Sequence, residues 1–286
     1  MTDNPYGMFR EGFRGSRQER GYWYQVDYLL TNIGKTAESI GLLPTDLVHI
    51  GGISIFFRGL EVFGASAVNN SRGTEDLDIV SWRPGSFDQL AAEMKARGII
   101  EDIQKRPAPG LKDKFSYDIT LPTGNNVGVN NVVPIDLYTG HNSIRFNDRV
   151  MTPDAIIIDP PDVLGSLQRE RGLVVVPSVR DTLAVKLDIV DSSGVGLREK
   201  DEIDILWMLG IISRSGLSFE PILRSIIDNA NRLWGFDRSL LRLGALENLF
   251  SEAEKKTVIN RVSKELARDA LRTVRDMKKR FVDAVG

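Results

Sequence analysis

Residues 49–82 read "HIGGISIFFRGLEVFGASAVNNSRGTEDLDIVSW", and this stretch decides how the chain is understood. It opens on two glycines that end the apolar run "DLVHI" and closes on two aspartates one residue apart within "EDLDIVSW". "DLVHI" predicts a short buried strand, "ISIFFRGLEVFG" a helix with an apolar face, and "EDLDIVSW" a second strand. Side chains on a strand alternate between faces, so Asp76 and Asp78 share one face while Leu77 and Ile79 take the core-facing one. Two neighbouring carboxylates repel unless a cation neutralises them. Oxygen ligands at that spacing suit a hard divalent ion, Mg2+ or Mn2+, rather than zinc. Gly51 and Gly52 stand between strand and helix, where absent side chains let backbone N–H groups approach a phosphate, and Ser54 adds a hydroxyl in the first turn. The plainer alternatives are a tight turn and a pair of surface aspartates. Arg72 and Thr74 precede the aspartates, giving R-x-T-x-D-x-D.

Working outward, residues 18–40 alternate compatibly with a helix, broken by Gly34 and stopped by "GLLP". "RPGSFDQLAAEMKARG" predicts a turn, an N-cap at Ser86 and an amphipathic helix ending at Gly98. Strands are expected in "FSYDITLP", "VVPIDLYTG" and "SIRFNDRV", with glycine-rich turns between them. "DPPD" marks a break, and "GLVVVPS" is a strand leading into a wholly helical region. Its expected helices cover 179–191, 199–212, 220–233 and 251–285. The fold class is therefore α+β, a mixed sheet domain followed by a helical domain. Boundaries are expected at 1–45 for an N-terminal helical segment, 46–176 for the sheet domain and 177–286 for the helical one.

Composition narrows the chemistry. A chain of 286 residues suggests about two domains. Its hydrophobic content of 42% and charged content of 27% are ordinary for a folded protein. A net charge of -2 gives no global pull toward nucleic acid or anionic lipid, so any such site must be a local patch. There is no cysteine, which excludes disulfides, thiolate catalysis and cysteine zinc sites. With only His49 and His141, the sequence does not point to a histidine-rich metal centre. No apolar run approaches the roughly 18 residues needed to span a bilayer, and the N-terminus lacks a signal-peptide core. The expectation is a cytoplasmic protein with no membrane partner.

The second informative stretch is "VPSVRDTLAVKLDIVDSSGVGLREKDEIDILWML". On a helix, Leu183, Leu187 and Val190 form an apolar stripe with Lys186 along its edge. A lysine there either snorkels to solvent or serves a buried anion. Lys200, Asp201 and Asp204 open the next helix, whose apolar side is Ile203, Leu206, Trp207 and Leu209. Taken singly, each charge reads as a solvated helix residue.

Together, the Gly-Gly turn and R-x-T-x-D-x-D resemble the nucleotidyltransferase superfamily. A proline-led helix with "K-L" followed by "R-x-K-D-x-x-D" looks like the AbiEii-type and MenT-type nucleotidyltransferase toxins, over roughly residues 47 to 210. The insert "FGASAVNNS" makes the spacing from Gly52 to Asp76 longer than in compact members. The resemblance implies a third metal-holding carboxylate on a neighbouring strand, with Asp136 preferred to Asp118. It further implies that Lys186 binds the triphosphate and that Asp204 holds or orients the lysine, with Arg198 and Lys200 as secondary phosphate contacts. The implied activity moves a nucleoside monophosphate from a triphosphate to an acceptor hydroxyl, first among acceptors an RNA (tRNA) 3′ end. A small molecule such as an antibiotic, a protein hydroxyl, or a non-catalytic nucleotide-binding module are the alternatives. A protein antitoxin is the implied partner.

One further feature bears on the acceptor. In "NRVSKELARDALRTVRDMKKRF", Lys264, Arg268, Arg272, Arg275 and Lys279 recur at steps of three or four and so line one helical face. Residues 251–286 hold 10 Lys/Arg against 6 Asp/Glu. The stripe reads either as an RNA-backbone track or as a solvated face paired with Glu265, Asp269 and Asp276.

Overall fold

The paired glycines do end a strand and begin a helix. The computed structural model describes residues 17–43, 46–64, 74, 76–81, 83, 85–107, 114–122, 131–139, 144–146, 149–151, 162–163, 175–193, 197–255, 258–259 and 262–284. They fall into two compact units, Met1–Ser178 and Val179–Gly286. The first unit runs α1 (Arg17–Ser39), β1 (Leu47–Ile50), α2 (Gly51–Phe63), β2 (Leu77–Ser81), α3 (Ser86–Ala96), β3 (Asp102–Pro107), β4 (Lys114–Thr120) and β5 (Val132–Thr139). It continues with β6 (Ile144–Phe146), β7 (Arg149–Met151), β8 (Asp162–Val163) and β9 (Val175–Val176).

Seven strands form one mixed sheet in the order β3-β4-β5-β2-β1-β9-β8, while β6 and β7 pair separately as an antiparallel hairpin. Strand β2 lies antiparallel to β1 and parallel to β5, and β1 is parallel to β9. In β2, Leu77 and Ile79 are wholly buried, in register with Ile135 and Leu137 of β5. Tyr117 of β4 lies opposite Ile135, and its ring meets Phe87 of α3 with centroids 4.9 Å apart. Helix α3 therefore covers the Leu77 face. Burying each such side chain contributes about 1.5–3 kcal/mol, which is why the central strands read as apolar runs.

Three local expectations are corrected here. Helix α1 is not broken at Gly34 but runs through it. The cost of a helical glycine, about 1 kcal/mol, is outweighed by burial of Val26, Leu29, Leu30 and Ile33. Ser86 is not an N-cap. Gly85 takes that place at φ 76°, while the buried Ser86 hydroxyl donates to the Arg83 carbonyl at 2.8 Å and pairs with Ser81 Oγ at 2.6 Å. Strand β3 was not expected, because "DIQKRP" lacks an apolar face; it pairs antiparallel with β4 at the end of the sheet order, with Gln104, Lys105 and Arg106 exposed.

The second unit comprises α4 (Val179–Ser193), α5 (Glu199–Arg214), α6 (Phe219–Trp234), α7 (Phe236–Lys255), the short strands β10 (Val258–Ile259) and β11 (Val262–Ser263), and α8 (Lys264–Asp283). Its core includes Trp207, Met208, Leu223, Leu246, Phe250 and Val274, with Phe219 and Phe250 edge to face at 5.7 Å. The single helix expected over 251–285 is interrupted. β-branched Val258, Ile259 and Val262 form the hairpin β10–β11. Ser263 then restarts the chain as an N-cap, its hydroxyl accepting from Leu266 N at 3.2 Å. Among the described residues no helix is long and apolar enough to cross a membrane.

Candidate functional site

Strand register builds a row of side chains across the sheet of the first unit. Ile50 lies opposite Asp78, Asp78 beside Asp136, Asp136 opposite Ser116, and Ser116 opposite Arg106. Residues paired in register share a face, so Asp78, Asp136, Ser116 and Arg106 all project from the side opposite Leu77 and Ile135. Asp78 and Asp136 are both half-buried. The Ser116 hydroxyl donates to Asp136 Oδ1 at 2.7 Å.

Asp76 stands at the entry to β2, half-buried, and is tied down from behind. Thr74 is buried, and its hydroxyl lies 2.9 Å from the Asp76 carbonyl and 3.2 Å from Asp76 Oδ1. The threonine of R-x-T-x-D-x-D thus holds the loop that delivers the first aspartate. Arg72 lies outside the described residues.

Gly51 has φ 67°, a left-handed conformation that side chains other than glycine rarely adopt. A Cβ there would collide with the Asp78 carboxylate, lying 3.0 Å from its Cγ and 3.2 Å from its Cβ. The glycine therefore lets Asp78 sit against the start of α2, an N-terminus with no side-chain cap and no acidic residue in its first turn. Such an end carries partial positive charge from its unsatisfied N–H groups. Gly52 is half-buried in the same turn. Ser54 does not face outward. It is fully buried, and its hydroxyl donates to the Gly51 carbonyl at 2.8 Å, bracing the turn itself.

Of the two candidates for a third carboxylate, the register brings only Asp136 alongside Asp78. Asp118 lies one strand farther out, opposite Pro134, and forms an ion pair with Arg106. Among the described residues no group of three or more His, Cys, Asp or Glu side chains is gathered for a metal. What the sheet supplies is a registered pair, Asp78 and Asp136, with Asp76 nearby in sequence at the strand entry. An all-oxygen donor set of this kind fits a hard divalent cation.

The second unit carries its own cluster. Lys186 on α4 is buried, with Nζ 2.7 Å from Asp204 Oδ2 and 3.3 Å from Asp201 Oδ1, both carboxylates belonging to α5. Asp201 is completely buried and also accepts from Arg198 Nε at 2.5 Å. Burial pushes the Asp201 carboxyl up, but the Arg198 hydrogen bond and the charges of Lys186 and Arg198 outweigh it and hold the group below its ordinary range. Arg198 and Lys200 are exposed at the start of α5. Asp201 was not singled out as a site residue from sequence, although it lies on the same helical face as Asp204.

Two residues of the basic stripe of α8, Arg268 and Arg275, are engaged with α7. Arg268 pairs with Glu254 at 2.8 Å and Arg275 with Glu247 at 3.0 Å, while Lys278 also reaches Glu247 at 2.8 Å. Arg272 pairs within α8, with Asp269 at 2.8 Å. Glu247 and Glu254 are two turns apart on α7, as Arg275 and Arg268 are on α8, so the pairs form rungs between antiparallel helices. Lys279 is exposed and Lys264 half-buried.

No family model matches this chain, and no curated protein matches it. Among solved structures it is similar to MenT4, nucleotidyltransferase toxin Rv2826c from Mycobacterium tuberculosis H37Rv, at 11% identity and a TM-score of 0.46, over 96% of this chain and 92% of that one. It is also similar to the Megavirus polyadenylate synthase, at 12% identity and a TM-score of 0.43, over 90% of this chain and 53% of that one. The chain thus spans about half of the viral enzyme's length. Its own architecture is α+β: strand, Gly-Gly, helix, a D-x-D strand, and an aspartate in register on the parallel neighbour.

Proposed function

We propose that this protein is a metal-dependent nucleotidyltransferase, moving a nucleoside monophosphate from a nucleoside triphosphate to an acceptor hydroxyl. The observation that carries the reading is the Asp78–Asp136 pair, in register and sharing a face, with Asp78 seated against the Gly51 turn. Asp78, Asp136 and Asp76 are the groups to hold Mg2+ or Mn2+. That ion, when bound, neutralises the triphosphate and lowers the pKa of the attacking hydroxyl. The N–H groups at the start of α2, with Gly51 and Gly52 keeping side chains out of the way, orient phosphate oxygens. Thr74 keeps Asp76 in place through its hydroxyl. Placing the acceptor oxygen in line with the α-phosphorus lets the new P–O bond form as the bond to pyrophosphate breaks.

Lys186 takes the part the sequence resemblance gives it, a cation for the triphosphate, and its pairing with Asp204 is what such a lysine needs to be held. Arg72, Arg198 and Lys200 are further phosphate contacts in this reading. The acceptor is an RNA 3′ end, a tRNA first, with any backbone contact on α8 falling first to Lys264 and Lys279, since Arg268 and Arg275 are engaged by α7 and Arg272 by Asp269. The biological setting is that of a cytoplasmic toxin restrained by a protein antitoxin.

The test is incubation with Mg2+, each α-labelled nucleoside triphosphate in turn, and total RNA, with an Asp136→Asn variant alongside. Label in RNA that is lost in Asp136→Asn supports the proposal. Label in the protein alone moves the acceptor to a protein hydroxyl, and label nowhere with all four triphosphates refutes turnover.

A further inference from the structure

Every carboxylate in a cation site needs its plane fixed as well as its position. The terminal torsion of an aspartate is broad and roughly two-fold, so a strand alone does not determine where its oxygens point. On the face of the sheet that carries Asp78, Asp136 receives a hydrogen bond from a residue to which no motif pointed: Ser116 of β4 donates from Oγ to Asp136 Oδ1 at 2.7 Å. The two are partners in the antiparallel register, so the donor is carried by a strand hydrogen-bonded to the acceptor's own. Ser116 is half-buried, which limits the competition from water.

We propose that Ser116 is a positioning residue for Asp136, holding Oδ1 so that Oδ2 is presented to a divalent cation shared with Asp78. The inference rests on the metal-site reading above. Its chemistry favours serine over a charged donor. A neutral hydroxyl orients a carboxylate without itself neutralising it, and hydrogen-bond donor and acceptor are held in register by the strand pairing. Hydrogen bonds to ligating groups tune metal sites strongly, and their loss typically weakens metal affinity or activity by about 10–100-fold.

The experiment measures Mn2+ binding to the full chain by loss of the free-ion EPR signal, with no nucleotide and no turnover. Ser116→Val and Ser116→Thr are compared, since both are β-branched and nearly isosteric and only threonine keeps the hydroxyl. Thermal melts without metal establish that each variant folds, and Asp136→Asn serves as the control. The expected result is that Asp136→Asn and Ser116→Val each weaken Mn2+ binding, the latter by about 10–100-fold, while Ser116→Thr binds close to the parent. If Asp136→Asn weakens binding and Ser116→Val does not, the positioning role is overturned and the metal site stands. If Asp136→Asn leaves binding unchanged, the metal-site reading fails and this proposal with it.

Discussion

Replacing Gly51 with alanine tests whether the glycine is there for the turn or for the carboxylate. The substitution introduces two costs. A residue other than glycine in the left-handed region costs about 1–2 kcal/mol. The added methyl also runs into Asp78, 3.0 Å from Cγ, so either that side chain rotates away or α2 shifts. Forcing atoms into a filled space costs about 1–3 kcal/mol. Gly98 supplies the matched control within the same unit. Its φ is 69° against 67° for Gly51, and nothing lies within 4 Å of the place its Cβ would occupy. Gly98→Ala therefore pays the backbone cost alone.

The expected losses are about 1–2 kcal/mol for Gly98→Ala and about 2–5 kcal/mol for Gly51→Ala. Urea denaturation of the two variants measures the difference. Combining Gly51→Ala with Asp78→Ala removes the carboxylate and leaves only the Cβ at 3.2 Å, so the double-mutant cycle should show a favourable coupling of about 1–3 kcal/mol. A Gly51→Ala loss no larger than that of Gly98→Ala, or a cycle without coupling, would refute the close approach of Asp78 to the helix start.

Two further outcomes are expected. His49 is buried in β1 and burial lowers its pKa from 6.5 to about 4, so the unfolded chain takes up a proton before the folded one does. Stability is therefore full above pH 6.5 and falls as the pH drops toward 4, by about 3 kcal/mol in total; a His49→Leu variant should show a shallower melting-temperature decline across that window, and parallel curves would contradict the assignment. In the second unit, Lys186→Met leaves Asp201 and Asp204 buried beside each other without their lysine, which should cost about 3–5 kcal/mol. Adding Asp204→Asn should recover part of that loss in urea denaturation, and a Lys186→Met variant as stable as the parent would show that the cluster does not hold the lysine in place.

Much of the first unit was legible because its signals are local. Strand β2 is a run of apolar residues interrupted by one aspartate, and β1 ends where two glycines begin a helix, so period and punctuation suffice. Strand β3 escaped notice for an equally local reason. An edge strand paired on one side need not alternate, and Asp102–Pro107 carries polar residues at most positions. Gly34 misled in the opposite direction. A glycine weakens a helix by propensity, but α1 packs its Leu29–Leu30–Ile33 side into a core, and burial decides.

The site divides along the same line. Alternation along β2 and β5 places Asp78 and Asp136 on the faces opposite Leu77 and Ile135 of their own strands, but it says nothing about which strand lies next to which. Asp118 satisfies the same pattern in β4, so sequence leaves the two candidates open until the order β4-β5-β2 sets Asp136 beside Asp78. Ser116 was invisible for the same cause, since its partner is 20 residues away and its own surroundings, "KFSYD", mark only a strand. On α8 the helical period correctly gathers Arg268, Arg272 and Arg275 toward one side. Their chemistry, however, depends on α7 lying antiparallel, where Glu254 and Glu247 meet Arg268 and Arg275 across separations of 14 and 28 residues. A period assigns a side chain to a face; a ladder or a neighbouring helix assigns it a partner, and it is the partner that turns a charge into a ligand, a strut or a docking point.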